Sequence, residues 1–578
     1  MQKFVGSVTI LLLMAACAGS DNTAAEKANA RRLVQVVPDE RQIAWQELGF
    51  TAFLHFGPNT FTNREWGDGK ENPAVFNPTA LDTDQWCETL KNAGFKAAIL
   101  TAKHHDGFCL WDTKTTSHNV MRSAKPVDVV KRFVDSCEKY GLRPGLYLSP
   151  WDENQEHFGI YGDNKAPWTG PDGVVYQNYS EFFIAQLEEL LGTDANGEYR
   201  YGKMYSMWFD GAKGSTNPQT YDWRRIFARA RELQPDCVLT NVGPDAGWIG
   251  NEAAEVLPSH WSVLPAWLSY ATYTASVSQQ QAGLPPVRKL DPALGSRRYM
   301  EQIIDLRWFP LEADVSIRPG WFFHANESPK DRETLLNIYE RCAGGNVQLL
   351  LNIPPDTEGK INALDAASLN GLGGRLRAIY GADVFPDAPD TNLLSIAGVT
   401  VRADSSDPKH PVGNIRTRDE SYWRPRGDRE TAAITVTFPE AVSLTHILLR
   451  EQTRLSQRIE GFTIEVRRQG SRSWEGVGEN RTYTVDSAGQ PIAAVTGKQY
   501  SRSYEQYTYP SNYPGGAGNP GPEEIALRDT TIAVQRAVGL QRICRFPKED
   551  NVTALRITIT GSRVFPTLKY AAAYCDPE

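Results

Sequence analysis

The chain has little of several things. Cysteine is sparse, eight in 578 residues, and no Cys-x-x-Cys pair occurs. This excludes a zinc ribbon and a dithiol redox site. His-x-His and His-Glu-x-x-His are also absent, so no metal-ligand spacing stands out. Basic residues are not in excess: 61 Lys+Arg face 69 Asp+Glu. Without a cationic surplus to displace counterions, DNA or RNA is not the expected partner. Long apolar runs are missing except for Phe4 to Ala16, which falls short of the ~20 residues a spanning helix needs. No heptad or internal repeat is visible. What is abundant is aromatic: 15 Trp, 23 Tyr and 22 Phe. Rings in that number suit a protein that stacks sugars, although large cores use them as well. At 41% apolar and 22% charged, the composition is that of a globular protein.

The apolar run after Lys3 ends in Ala15-Ala16-Cys17. It resembles a bacterial lipoprotein signal, in which Cys17 is lipidated and becomes the mature N-terminus. The resemblance implies export to the periplasm or outer membrane of a Gram-negative cell, with membrane contact only through that lipid. Residues 1–17 are therefore expected to be the signal and 18–39 a linker. The other cysteines, scattered from Cys87 to Cys575, are expected to be buried hydrophobes.

From residue 40 to about 385, short apolar runs alternate with helical patterns. Strands are expected at 50–57, 95–105, 143–151, 203–212, 237–244, 261–264, 314–324 and 346–355. The helix patterns between them include TDQWCETLKNAG, with a Thr cap candidate, and VDVVKRFVDSCEKYG, ending on Gly141. Such alternation demands parallel strands and right-handed crossovers, and eight units point to a (β/α)₈ TIM-like barrel. The sixth unit is the weakest, and its segment PAWLSYATYTASVSQQQAGLPP is expected to lie over the barrel mouth. From 386 to 578 the period changes to two, in TAAITVTF, LTHILLREQ, GFTIEVRRQ and ALRITITGS. This predicts an accessory C-terminal antiparallel β-sandwich. An insertion at about 478–538 contains the loop-like YTYPSNYPGGAGNPGPEE.

Barrel chemistry gathers where strands end at the C-terminal face. There the sequence places His55, then Glu65 and Trp66; His104 and His105; Tyr147; Trp208 and Asp210; Glu252 and Glu255; and Trp321. Asp210 follows an aromatic strand and precedes Gly211, far from the next helix, which disfavours a capping role. Glu252 lies on what is read as the loop after the fifth strand, one step around the ring, with Glu255 as its competitor. Two carboxyl groups flanking one bond are the apparatus of glycoside cleavage. His104 and His105 would point to opposite faces if both lay in a strand, which argues against a shared metal ion. Neutral imidazoles bonding to sugar hydroxyls fit better.

LHFGPNTFTNREWGDG, LTAKHHDGFCLWDT, GLYLSPWD, MWFDGA, GPDAGWIGNE and LLLNIPPDTEGKI, in that order, resemble the α-L-fucosidases of glycoside hydrolase family 29. The sandwich is similar to the discoidin-like domain of many bacterial members. The resemblance implies a retaining exo-glycosidase that releases terminal L-fucose from oligosaccharides or glycoprotein glycans, with no cofactor and no metal. It makes Asp210 the nucleophile and Glu252 the acid/base. It makes His55, Glu65, Trp66, His104, His105, Tyr147, Trp208 and Trp321 the sugar-holding residues. The GPN and GNE variants look closer to members that cleave α-1,3 and α-1,4 branches. Broad specificity including α-1,2 links, another glycosidase, and a non-catalytic surface glycan-binding lipoprotein are the alternatives.

Overall fold

In a computed structural model, described residues are 18–159, 167–211, 219–257, 259–268, 294–477, 484–485, 491–492 and 537–578. Cys17, the segment expected over the barrel mouth and the YTYPSNYPGGAGNPGPEE loop lie wholly or mostly outside them. Eight parallel strands form one sheet: β1 Phe50–Leu54, β2 Ala97–Lys103, β3 Arg143–Leu148, β4 Ser206–Phe209, β5 Val238–Asn241, β6 Gly247–Trp248, β7 Leu311–Ser316 and β8 Gln348–Asn352. Their order is β5-β4-β3-β2-β1-β8-β7-β6, with β5 and β6 at the two ends of the ladder. Parallel strands covered by helices are buried on both faces, which is why these segments read as near-continuous apolar runs.

The helices start and stop where side chains satisfy their free backbone groups. Helix Val129–Tyr140 has Asp128 as its cap, accepting from Lys131 N, and ends on Gly141 at φ +72°. Helix Thr83–Asn92 is capped by Asp82, not Thr83. The Thr83 hydroxyl instead meets Ser136, 2.8 Å away on the neighbouring helix.

Two expectations are corrected. Segment 261–264 is not the sixth stave. Val263–Pro265 pairs antiparallel with Leu306–Trp308, outside the barrel. The Trp308 indole donates to Gln46, just before β1, so this hairpin closes the N-terminal end. The sixth stave is the two-residue β6, which pairs with β7 through Leu311↔Gly247 and Glu312↔Trp248. Only residues 242–246 join β5 to β6, leaving no room for a helix. Segment 18–39 is also not a bare linker. Helix Ala18–Leu33 docks on Arg297–Met300, where Asn29 donates to Arg297 O at 2.7 Å and Arg32 to Met300 O at 2.6 Å.

The C-terminal sheet is antiparallel and rests on two long bent strands, Ala432–Arg450 and Arg542–Ser562. Register shifts between Thr437 and His446 bend the first, so TAAITVTF and LTHILLREQ are two arms of one strand. One face packs its own core around Trp423, Ile434, Phe462 and Ile557. Leu448, Ile543, Tyr570 and Tyr574 join the barrel's core instead. Polar contacts reinforce this seam. Arg375 grips Asp576 with two bonds of 2.7 and 2.6 Å, and Glu340 accepts from Tyr380 and His446.

Arg375 and Asp576 are both nearly buried. Removing the cation strands a carboxylate inside the seam. Arg375→Met is expected to cost about 3–5 kcal/mol in urea unfolding. An unchanged midpoint would show that the apolar seam alone holds the two parts together.

Candidate active site

Side chains two apart on a strand share a face, so Phe53 and His55, Gly145 and Tyr147, Trp208 and Asp210, and Leu350 and Asn352 line the barrel interior. Asp210 directly follows β4 and is half-buried. Tyr147 donates its hydroxyl to Asp210 Oδ2 at 2.9 Å. The same oxygen lies 3.7 Å from His105 Nε2. Beneath it, Trp208 stacks on Tyr147 with centroids 5.3 Å apart and planes 22° apart.

Burial disfavours the charged form of the imidazoles, and hydrogen bonds fix the tautomer of His105 and His55 when neutral. His105 Nδ1 is 2.7 Å from Ser149 Oγ, whose one hydrogen goes to Trp151 O. Nδ1 must therefore carry the proton, leaving the Nε2 lone pair toward Asp210. His55 Nδ1 donates to Asn352 Oδ1 at 2.9 Å, because Asn352 Nδ2 is committed to Ser316 Oγ and Trp321 O. Burial pushes the His55 pKa down to about 3 against the raising effect of that bond. Burial also lowers His105, with Asp210 opposing, and holds His104 well below the ordinary range. His55 Nε2 and His105 Nε2 are thus left as acceptors, matched to donors such as hydroxyl groups.

His104 and His105 do not point apart. The strand ends at Lys103, so the two-face rule no longer applies, and their rings lie 4.1 Å apart. His104 Nδ1 has no partner among the described residues. No group of three or more His, Cys, Asp or Glu among those residues is arranged to hold a metal ion.

Glu252 comes after the sixth stave, not the fifth, because β6 intervenes. Its segment is shaped by its neighbours. Gly250 takes φ +105°, which a glycine adopts freely. Asn251, 2% exposed, accepts from Ala253 N and Glu255 N and donates to Glu255 O. That tie turns Glu252 outward while Ala253 bridges to Val315 of β7. Glu252 Oε2 accepts the Trp321 indole N–H at 3.3 Å. Desolvation raises the Glu252 pKa above the ordinary 4.5; the Trp321 bond opposes this, and the Asp210 and Glu65 charges add to it. The residue is open to solvent at the mouth, where screening reduces such shifts.

The remaining candidates separate by position. Trp66 is exposed at the rim, 6.2 Å from the His105 ring and 5.7 Å from Trp151. Trp321 is half-buried, 5.1 Å from His55. It lies on the loop after β7, not at the strand's end. Glu65 clamps that loop, accepting from Trp321 N, Phe322 N and His324 Nε2. Trp208, only 5% exposed, lies in the layer below and presents no open face.

Sequence reasoning missed Glu312 and Asp314 of β7 and the indole of Trp248. Glu312 accepts from Trp208 Nε1 at 2.8 Å, and Asp314 from Trp248 Nε1 at 2.6 Å. A signal existed: LEADVS places two acids at period two inside a run otherwise buried on both faces.

The sequence model of the α-L-fucosidase family matches residues 39–381. Alpha-L-fucosidase 1 of Arabidopsis thaliana is 35% identical over 447 residues, 76% of this chain and 79% of that protein. A family 29 fucosidase of Ruminococcus gnavus, solved in complex with fucose, superposes with a TM-score of 0.71 at 25% identity, covering 94% of this chain and 95% of that one. A family 29 member from a rumen bacterium gives 0.64 at 26% identity, covering 94% and 78%. With the matching model spanning more than half of the sequence, and the barrel and sandwich shared, the chain belongs to the α-L-fucosidases of glycoside hydrolase family 29.

Proposed function

We propose that this α-L-fucosidase works by double displacement, with Asp210 as nucleophile and Glu252 as acid/base. The observation that carries the reading is the convergence of Tyr147 and His105 on Asp210, with Glu252 brought to the same mouth by Trp321. Asp210 attacks the anomeric carbon of fucose while Glu252 gives its proton to the departing oxygen. Water, deprotonated by Glu252, then cleaves the glycosyl-enzyme, and the configuration is retained. The Tyr147 bond aims the attacking oxygen. The raised Glu252 pKa keeps the acid protonated further toward neutrality. The His55 and His105 lone pairs accept sugar hydroxyls, His104 packs beside them, and Trp66 and Trp321 offer apolar faces to the ring and methyl group. Glu65 acts chiefly through the Trp321 loop.

We further propose that the substrate carries terminal α-1,3- or α-1,4-linked fucose on an oligosaccharide or glycoprotein glycan. The enzyme is read as exported and tethered through a lipid on Cys17, on the strength of the run that Ala15-Ala16-Cys17 ends.

Asp210→Ala should lower kcat by about 10⁴-fold, with azide restoring turnover as the β-azide. Glu252→Ala should cost about 10²–10⁴-fold on a natural disaccharide but far less on nitrophenyl fucoside, which needs little protonation. It should also remove the alkaline fall of kcat/KM, because that limb reports loss of the Glu252 proton. Equal losses on both substrates would reassign the acid. Release from Lewis trisaccharides should exceed release from α-1,2-fucosyllactose; equal rates would mean broad specificity. Cys17→Ser should move the protein from the membrane to the soluble fraction, and an unchanged distribution would remove the anchor.

A further inference from the structure

Strand β7 sends Glu312, Asp314 and Ser316 into the barrel, two residues apart and all at most 5% exposed. The two acids each accept from an indole, and Ser316 bonds to the loop and strand beside Trp321. Glu312 takes the indole N–H of Trp208, the ring stacked beneath Tyr147. Asp314 takes the indole N–H of Trp248, whose strand leads into the Glu252 loop. Ser316 donates to Gly320 O and accepts from Asn352, which also holds Trp321 O and His55. One strand therefore anchors two indoles directly and, through Asn352, the backbone at Trp321.

Several buried carboxylates of the fold are paired with a cation: Asp152 has Lys103, Asp365 has Arg318 and Asp576 has Arg375. Asp106 and Glu451 have no ion pair among the described residues, and Glu312 and Asp314 resemble these two. Among the described residues Glu312 and Asp314 have no Lys or Arg partner, and Glu312 Oε2 has no hydrogen-bond partner. A buried ionised carboxylate with an empty oxygen is costly, whereas the neutral acid keeps a carbonyl oxygen for an indole. Burial pushes Glu312 up to about 8, against the Trp208 bond, and Asp314 well above its ordinary range. The titratable groups coupled to Glu312 are Tyr205 and Asp314; those coupled to Asp314 are Glu252, Glu312 and Asp210.

We propose that Glu312 and Asp314 are positioning residues that act as neutral carboxylic acids, fixing Trp208 beneath the nucleophile and Trp248 beside the acid/base without adding charge to that pair. This rests on the assignment of Asp210 and Glu252. Because the acids work through a neutral acceptor, an amide can replace them and an alkyl group cannot.

The test compares E312Q, E312L, D314N and D314L with wild type. Folding is checked by thermal melting and kcat and KM by nitrophenyl fucoside hydrolysis across pH. Each Leu variant should lose about 10²-fold in kcat with KM little changed, the cost of a misplaced site wall. The amide variants should recover to within about tenfold of wild type, with both limbs of the kcat/KM profile in place. Fully active Leu variants, or amides no better than Leu, would overturn the proposal. So would an alkaline limb displaced to lower pH in D314N, since that displacement means a negative charge was removed from beside Glu252. If a Leu variant does not fold, the amide rates and limbs decide alone. Failure of azide to rescue Asp210→Ala would instead strike the underlying assignment, leaving the two outcomes distinguishable.

Discussion

A polar side chain inside a barrel of parallel strands has little water to turn to, so leaving it without a partner across the interior is costly. The whole site is an answer to that constraint. Trp208 meets Glu312, Trp248 meets Asp314, His55 meets Asn352, His105 meets Ser149, and Tyr147 meets Asp210. Each pairing uses up one donor and one acceptor. What stands at the mouth, the His55 and His105 imidazoles and the Asp210 and Glu252 carboxyl groups, is what the barrel offers to a substrate.

The same constraint shows where the barrel departs from eight equal units. The direct passage from β5 to the two-residue β6 removes a helix and brings the Asn251 turn against β7. Glu252 therefore enters from the sixth position, within reach of the Trp321 indole, and not from a neighbour of the Asp210 strand. Below, a hairpin at 263–265 and 306–308 seals the barrel floor with Trp308 on Gln46. The C-terminal sheet braces the outside through a shared apolar seam and the Arg375–Asp576 pair.

Much of this was legible early. The strand ends carrying His55, Tyr147 and Asp210 could be read from polar residues following apolar runs. Helix ends could be read from Asp128 and Gly141. The acidic pair of β7 is harder to read, because acids are usually surface residues and the period-two spacing in LEADVS fits a solvent-facing strand as well as a buried one. The sixth stave was misplaced because a two-residue strand has no periodicity to detect, while WSVL satisfies the same local pattern.

By itself, the order of apolar and polar residues determined the barrel, the period-two domain after it, and which side chains stand at strand ends. Those properties are local, set by the turn of a helix and the pleat of a strand. Only the folded molecule decided that the His104 and His105 rings lie together, that Glu65 clamps the Trp321 loop, that Trp208 is a buried support, and which carboxyl groups lack a cation. Those are relations between residues up to 259 positions apart, and pairing over such separations depends on how the ring closes, which no short stretch of chain encodes.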